Sequence, residues 1–261
     1  MSKRIRFEED TETESSKRYR SAIDEVAEEF LCPITQELPL DPVTAEDGRV
    51  YERAAIEDWL NRNAGPVKSP VTNEVIGRKL LPAVQIRNSI KNMVKSGAIS
   101  GSKADAWKQR LADEEEVAAV RRRAEGGDAQ AMSQMGFWCR DGRKGLAVDK
   151  QQGFTWSKRA ADLGRAGAMT LCGVAYWNAR GVERNEFRGS IMLAQAAALG
   201  SQHACFLLGY AHKHGRHGAD KDDAETTRWF RKMQGCQIKD CGETALKEAG
   251  EWLREKGEVS S

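Results

Sequence analysis

The spacing of apolar residues divides the chain into stretches of different character. Residues 1–24 are polar and mixed in charge, without apolar periodicity, the pattern of a disordered tail. From Phe30 the stretch "FLCPITQELPLDPV" has loop character. "VTAEDGRVY" then sets Asp47-Gly48 between two short β-favouring runs, which predicts a hairpin. In "ERAAIEDWLNR" the residues Ala55, Ile56, Trp59 and Leu60 share one helical face. "GPVKSPVTNEVIGRKLLP" is punctuated by Gly65, Pro66, Pro70, Gly77 and Pro82 and reads as a loop. Pro82 opens a last helix whose Ile86, Ile90, Met93 and Val94 fall on one side. The expected order within residues 28–95 is loop, hairpin, helix, loop, helix.

"KSGAISGS", Lys95 to Ser102, has the composition of a hinge. After it, a capping-box-like Ser102 and Asp105 predict a helix of about 20 residues that stops at Gly126-Gly127. Residues 96–126 are thus expected to be a linker and capping helix. Beyond them the pattern repeats. "AMSQMGFW", "AMTLCGVAYW" and "ACFLLGYA" share one form, and their glycines are Gly136, Gly173 and Gly209. "WSKRAADLG" and "MLAQAAALG" share a second, with "WFRKMQG" a weaker third copy. Two helical stretches per unit of roughly 36 residues predict a stacked helix-pair solenoid. The expected repeats are residues 127–164, 165–200 and 201–238, closed by an amphipathic capping helix at 239–257. Small residues at the crossings let backbones approach, while Trp138, Trp156, Tyr176, Trp177 and Trp229 fill the space between layers.

Composition narrows the function. The chain has 261 residues, a formal net charge of +2 and 40% hydrophobic residues, which suits a soluble two-domain protein and gives no footprint for a polyanion partner. There is no run of about 18 apolar residues and no apolar stretch of a secretory signal near Met1, so the expected compartment is cytoplasmic or nuclear. The Lys3–Arg6 cluster "KRIR" is a candidate nuclear address. The six cysteines are scattered without CxxC spacing and read as reduced, mostly buried thiols. "HKHGRH" (His212, His214, His217) reads as a solvated loop that lacks a fourth ligand for a metal site, and "VRRRA" from Val120 reads as an exposed helix face. Neither a nucleophile with its base nor paired carboxylates emerge. No cofactor, metal, membrane or nucleic acid is expected.

"FLCPIT" opens like a cross-braced zinc module, a fold that needs about eight Cys and His ligands. Residues 30–94 offer only Cys32. Residues 28–95 instead resemble the U-box domain of ubiquitin ligases, through "FLCPIT", Asp41-Pro42-Val43, "DGRVYERAAIEDWL", "SPVTNEVI" and "LLPAVQIRNSI". The resemblance implies an α+β, RING-like fold in which hydrogen bonds, salt bridges and packing replace zinc. Residues 127–235 resemble Sel-one-like repeats, relatives of tetratricopeptide repeats, through "RAADLG", "QAAALG" and the repeated glycines. The fold class expected is therefore a small U-box followed by an all-α helix-pair solenoid.

A U-box is implied to act without a catalytic side chain. It docks a ubiquitin-conjugating enzyme charged with ubiquitin and favours an attack-ready pose, while other regions hold the substrate. By motif match the docking residues are Ile34, Pro70, Trp59 and Asn73, with Trp59 equally readable as core. The family often has Arg where this chain has Asn73, and Asn after the proline where this chain has Ala83. The solenoid is expected to bind an unknown protein or peptide. The alternative is a non-enzymatic adaptor with a degenerate U-box. A metal- or nucleic-acid-binding adaptor would rest on the His and Arg runs.

Overall fold

The computed structural model describes residues 26–62 and 65–258. The expected tail at 1–24 and the Lys3–Arg6 cluster lie outside the described residues. The fold comprises two units, Met1–Ala112 and Asp113–Ser261, divided within a single helix.

In the first unit, β1 (Pro42–Thr44) and β2 (Val50–Glu52) form the expected hairpin, with Val43 opposite Tyr51. Gly48 takes φ 74°, and its amide donates to the Ala45 carbonyl at 3.0 Å. Helix α1 (Arg53–Asn61) follows directly. The stretch read as loop holds a second small ladder, β3 (Val67–Lys68) against β4 (Val75–Ile76). Two-residue strands are too short for alternation to reveal them. β5 (Leu81–Pro82) pairs with the free edge of β1, giving the order β2-β1-β5. Pro82, expected to start a helix, is thus a strand residue. Helix α2 (Val84–Ser96) begins after Ala83, whose amide donates to the Pro42 carbonyl at 2.8 Å.

Two apolar clusters hold this unit. One gathers Cys32, Val43, Tyr51, Ile56, Leu60, Val67 and Ile76 around the hairpin and α1. The other joins Leu38, Ile90 and Val94 to Ile99, Ala104 and Trp107. The last three lie in or after the stretch expected to be a hinge. Gly97 closes α2 in the left-handed conformation, and Ile99 is then buried. Helix α3 (Gly101–Glu125) starts at once, and its first turns complete the core of this unit. Burial of Ile99 and Trp107 outweighs the loop-like composition of the segment.

The second unit is a run of helix pairs: α4 (Ala129–Asp141) with α5 (Lys150–Asp162), α6 (Ala166–Asn178) with α7 (Glu186–Ala198), and α8 (Gln202–His214) with α9 (Asp223–Gln234), then α10 (Glu243–Glu255). Side chains of Asp128, Asp149, Asn185, Ser201 and Asp222 accept amide hydrogen bonds at the starts of α4, α5, α7, α8 and α9, satisfying donors that a helix end leaves unpaired. The repeated glycines lie where each pair crosses. A Cβ on Gly173 would sit 2.6 Å from Leu193 Cγ and 3.0 Å from the Gly189 carbonyl. Trp138, Tyr176 and Trp177 are buried, whereas Trp156 and Trp229 are half-buried against the same clusters.

The histidine run departs from the expected solvated loop. His212 and His214 are the last residues of α8, capped by Gly215, and the His217 ring stacks on Trp177 at 4.2 Å and 5°. Trp177 offers an apolar face in the neighbouring repeat, and that stacking leaves the His217 side chain only 22% exposed. No group of three metal-binding side chains occurs among the described residues. Arg121, Arg122 and Arg123 are exposed on α3. Five cysteines are buried and Cys241 is half-buried, all as free thiols. No helix is long and apolar enough to cross a membrane, among the described residues.

Candidate functional site

Two hexapeptides of the first unit are near-copies, "CPITQE" (Cys32–Glu37) and "SPVTNE" (Ser69–Glu74), and they fold alike. In loop 1 the Cys32 amide donates to the Glu37 carbonyl at 2.9 Å, and the Gln36 amide donates to the Cys32 carbonyl at 2.8 Å. In loop 2 the Ser69 amide donates to Glu74 at 2.8 Å, and Asn73 donates to Ser69 at 3.2 Å. The fifth residue of each is left-handed, Gln36 at φ 58° and Asn73 at φ 61°. In each, the Thr hydroxyl accepts from the following Glu amide at 3.4 Å. The proline sits second in both, where its ring suits a turn and no amide is needed. Ile34 and Val71 occupy equivalent third places in these turns, as Pro33 and Pro70 occupy the second.

What holds loop 2 is a carboxylate. Asp47, from the hairpin turn, accepts from Tyr51 Oη at 2.7 Å and from Ser69 Oγ at 2.5 Å, both through Oδ2. Its Oδ1 accepts the Arg49 amide at 3.0 Å. Ser69 Oγ in turn accepts the Val71 and Thr72 amides at 3.1 and 3.0 Å. Burial opposes ionisation of Asp47, but the bonds from Ser69, Tyr51 and the Arg49 amide outweigh it and hold the carboxyl below its ordinary value. Burial, with the bond to Asp47, pushes the Tyr51 phenol well up. At neutral pH the cluster is therefore a carboxylate with neutral hydroxyl donors, a stable noncovalent node.

A second node lies beneath loop 1. Glu52, almost fully buried, accepts the Leu40 amide at 2.8 Å and the Asp41 amide at 3.1 Å. The Arg110 guanidinium donates to Glu52 at 2.8 Å, to Glu37 at 2.9 Å and to the Leu38 carbonyl at 3.1 Å. The Trp107 indole donates to the Pro39 carbonyl at 3.2 Å. Arg53 pairs with Asp41 at 2.6 Å. The Gly77 amide donates to Glu46 at 2.9 Å. The work that a metal does in a cross-braced module is here divided between carboxylates and their donors.

The expected site residues fall as follows. Ile34 is half-buried on loop 1 and rests against the hairpin cluster, so it is neither wholly core nor wholly exposed. Pro70 is half-buried on loop 2, beside Val71, which is 44% exposed. Trp59, 36% exposed, stands outside the buried cluster, and its indole donates to the Lys68 carbonyl at 2.9 Å. That bond ties α1 to the strand that leads into loop 2. Asn73 is exposed, and its left-handed backbone is one that Asn tolerates better than most residues. Ala83 is buried and gives α2 no side-chain cap, its contribution being the backbone bond to Pro42. Sequence reasoning missed Asp47, Tyr51, Ser69, Glu52 and Arg110 as loop supports. Aligning "CPITQE" with "SPVTNE" would have marked Ser69, but nothing in the sequence joins Arg110 to Glu52.

Parts of the chain match known protein families. Residues 26–98 match the family model of the U-box domain, and residues 129–164, 166–201 and 202–233 match that of the Sel1 repeat. U-box domain-containing protein 43 of Arabidopsis thaliana is 33% identical over 85 residues, 31% of this chain and 10% of that protein. WD repeat, SAM and U-box domain-containing protein 1 of Gallus gallus is 54% identical over 48 residues, 18% of this chain and 10% of that protein. "Putative E3 ubiquitin-protein ligase LIN" of Medicago truncatula is 43% identical over 54 residues, 21% of this chain and 4% of that protein. The chain thus spans a tenth or less of the length of these curated relatives. Among solved structures, a Sel1 repeat protein from Oxalobacter formigenes is 25% identical with a TM-score of 0.43, covering 52% of this chain and 98% of that one. Residues 26–98 are a U-box domain, and residues 129–233 are a run of Sel1 repeats.

Proposed function

We propose that the chain is a ubiquitin-protein ligase of the U-box type. Loops 1 and 2 dock a ubiquitin-conjugating enzyme, with Ile34, Pro70, Trp59 and Asn73 at the contact. The observation that carries this reading is the pair of matching turns, each built by the same two backbone bonds, with Ile34 third in loop 1 and Pro70 second in loop 2, next to Val71 at the place that matches Ile34. A rigid, metal-free pair of turns suits a docking role, because little conformational freedom remains to be lost on binding. The relative named as an E3 ubiquitin-protein ligase supports the same reading.

In this mechanism the protein contributes no nucleophile. The acceptor amine attacks the thioester held by the conjugating enzyme, the thiolate leaves, and an amide forms. The ligase raises the rate by holding the two partners together and by favouring the reactive pose. The Sel1 repeats recruit the protein or peptide to be modified, and the activity belongs to the cytoplasm or nucleus.

The test is reconstituted transfer with activating enzyme, ubiquitin and a panel of conjugating enzymes. Product with the wild-type chain, lost on Ile34→Ala and Pro70→Ala while the fold persists by circular dichroism, supports the ligase. Silence across the panel refutes it. The adaptor reading is favoured by one observation, the uncharged Asn73. It predicts docking without transfer, and rescue of transfer by Asn73→Arg would assign the defect to that contact.

A further inference from the structure

The two loops are alike in backbone but differ in what secures them. Loop 2 begins with Ser69, whose hydroxyl caps the Val71 and Thr72 amides and donates to Asp47. Loop 1 begins with Cys32, and a thiol is a weak hydrogen-bonding group that cannot do the same. Loop 1 is instead held from outside. Arg110 on α3 reaches Glu37, the last residue of the loop, and the Leu38 carbonyl next to it, while its other nitrogen grips the buried Glu52. Arg110 lies twelve residues past the end of the U-box match at residue 98.

We propose that Arg110 is a positioning residue for conjugating-enzyme docking, supplied by a helix beyond the U-box itself, and that its bond to Glu37 keeps loop 1 in its docking shape. The inference rests on the docking role given to loop 1 above. A planar guanidinium with several donors can serve two carboxylates and a carbonyl at once, which the single ammonium of Lys does poorly. Glu52 anchors the far side of that guanidinium, because its other acceptor sites are occupied by the Leu40 and Asp41 amides. The Glu37 carboxylate is about half exposed, so its contact bears on the loop and not on the core.

Those facts separate positioning from bulk stability. Glu37→Gln removes the charged arm to loop 1 and leaves the Glu52 arm in place. In the full chain, amide hydrogen exchange at Cys32 and Gln36 should quicken about 3- to 10-fold in Glu37→Gln and Arg110→Gln, with the loop 2 amides unchanged. The conjugating enzyme that binds wild type most tightly should bind both variants about 3- to 10-fold more weakly. Arg110→Gln combined with Glu37→Gln should be no weaker than Arg110→Gln alone, and Arg110→Lys should recover part of the loss. Unchanged exchange at Cys32 and Gln36 overturns the proposal whatever the binding result. Quickened exchange with unchanged affinity overturns the docking role. If wild type binds no member of the panel, the ligase reading fails together with the docking role. The exchange response at Gln36 still reports whether Arg110 shapes the loop, so the two failures are distinguishable.

Discussion

Ser69→Ala is the sharpest probe of how loop 2 survives without metal. Ser69 is 4% exposed, and its hydroxyl takes part in three hydrogen bonds, one to a carboxylate. Losing the charge-assisted bond to Asp47 costs about 1.5–3 kcal/mol. The Val71 and Thr72 amides lose their acceptor but belong to exposed residues and can turn to water, adding about 0.5–1 kcal/mol. The sum, roughly 2–4 kcal/mol, is less than the ~5–10 kcal/mol expected for a unit of this size, so the unit stays folded. Hydrogen exchange followed residue by residue is the appropriate assay, because a chain of two units need not unfold in one transition. At about 1.4 kcal/mol per factor of ten, the Asn73 and Ser69 amides should exchange at least about 30-fold faster. Gln36 in loop 1 should be little affected. Protection at Asn73 within about threefold of wild type would refute the claim that this hydroxyl holds the loop. Equal loosening of both loops would refute the claim that they are secured separately.

Other predictions concern charge, backbone and crossing points. Because the Asp47 carboxyl is held below its ordinary value of 3.8, the folded state binds fewer protons there than the unfolded chain. Its stabilisation is complete above that value and is lost as pH falls through the lower folded-state value. Urea titrations of the first unit in that acid range should show this slope, and Asp47→Asn should flatten it. Ala179 caps α6 at φ 53°, where Gly142 and Gly215 cap α4 and α8. Ala179→Gly should raise stability by about 0.5–1 kcal/mol in chemical denaturation, the relief of left-handed strain exceeding the added freedom of the unfolded chain. Gly189→Ala would bring a Cβ to 2.4 Å from Trp177 Cδ1 and 2.9 Å from the Gly173 carbonyl. It should cost about 1–3 kcal/mol in thermal unfolding. At Gly250 the nearest atom is the Arg254 guanidinium nitrogen at 3.8 Å, so Gly250→Ala should be neutral or stabilise by up to about 1 kcal/mol.

The hairpin, helices α1 to α3, the repeat period and the glycine crossings were all legible in the sequence, because each is a local pattern with one period or one turn signal. Asp47-Gly48 announces its turn, and a glycine recurring every 36 or 37 residues announces a crossing. What was not legible follows from residues distant in sequence. β5 exists because Leu81 and Pro82 find the open edge of β1, about 40 residues earlier. The stretch around Ile99 has the composition of a hinge and becomes core because Leu38 and Ile90 offer it an apolar surface. His217, polar by composition, is stacked because Trp177 of the preceding repeat lies flat beside it.

The candidate site divides in the same way. Residue type and order determined by themselves that zinc ligands are lacking in residues 30–94, and Ile34, Pro70, Trp59 and Asn73 entered only as docking residues expected from the resemblance. Only the tertiary structure decided which groups take the metal's place. A hydrogen bond depends on distance and direction in space, so Ser69 could be assigned to Asp47, and Arg110 to Glu37 and Glu52, only once the chain had folded.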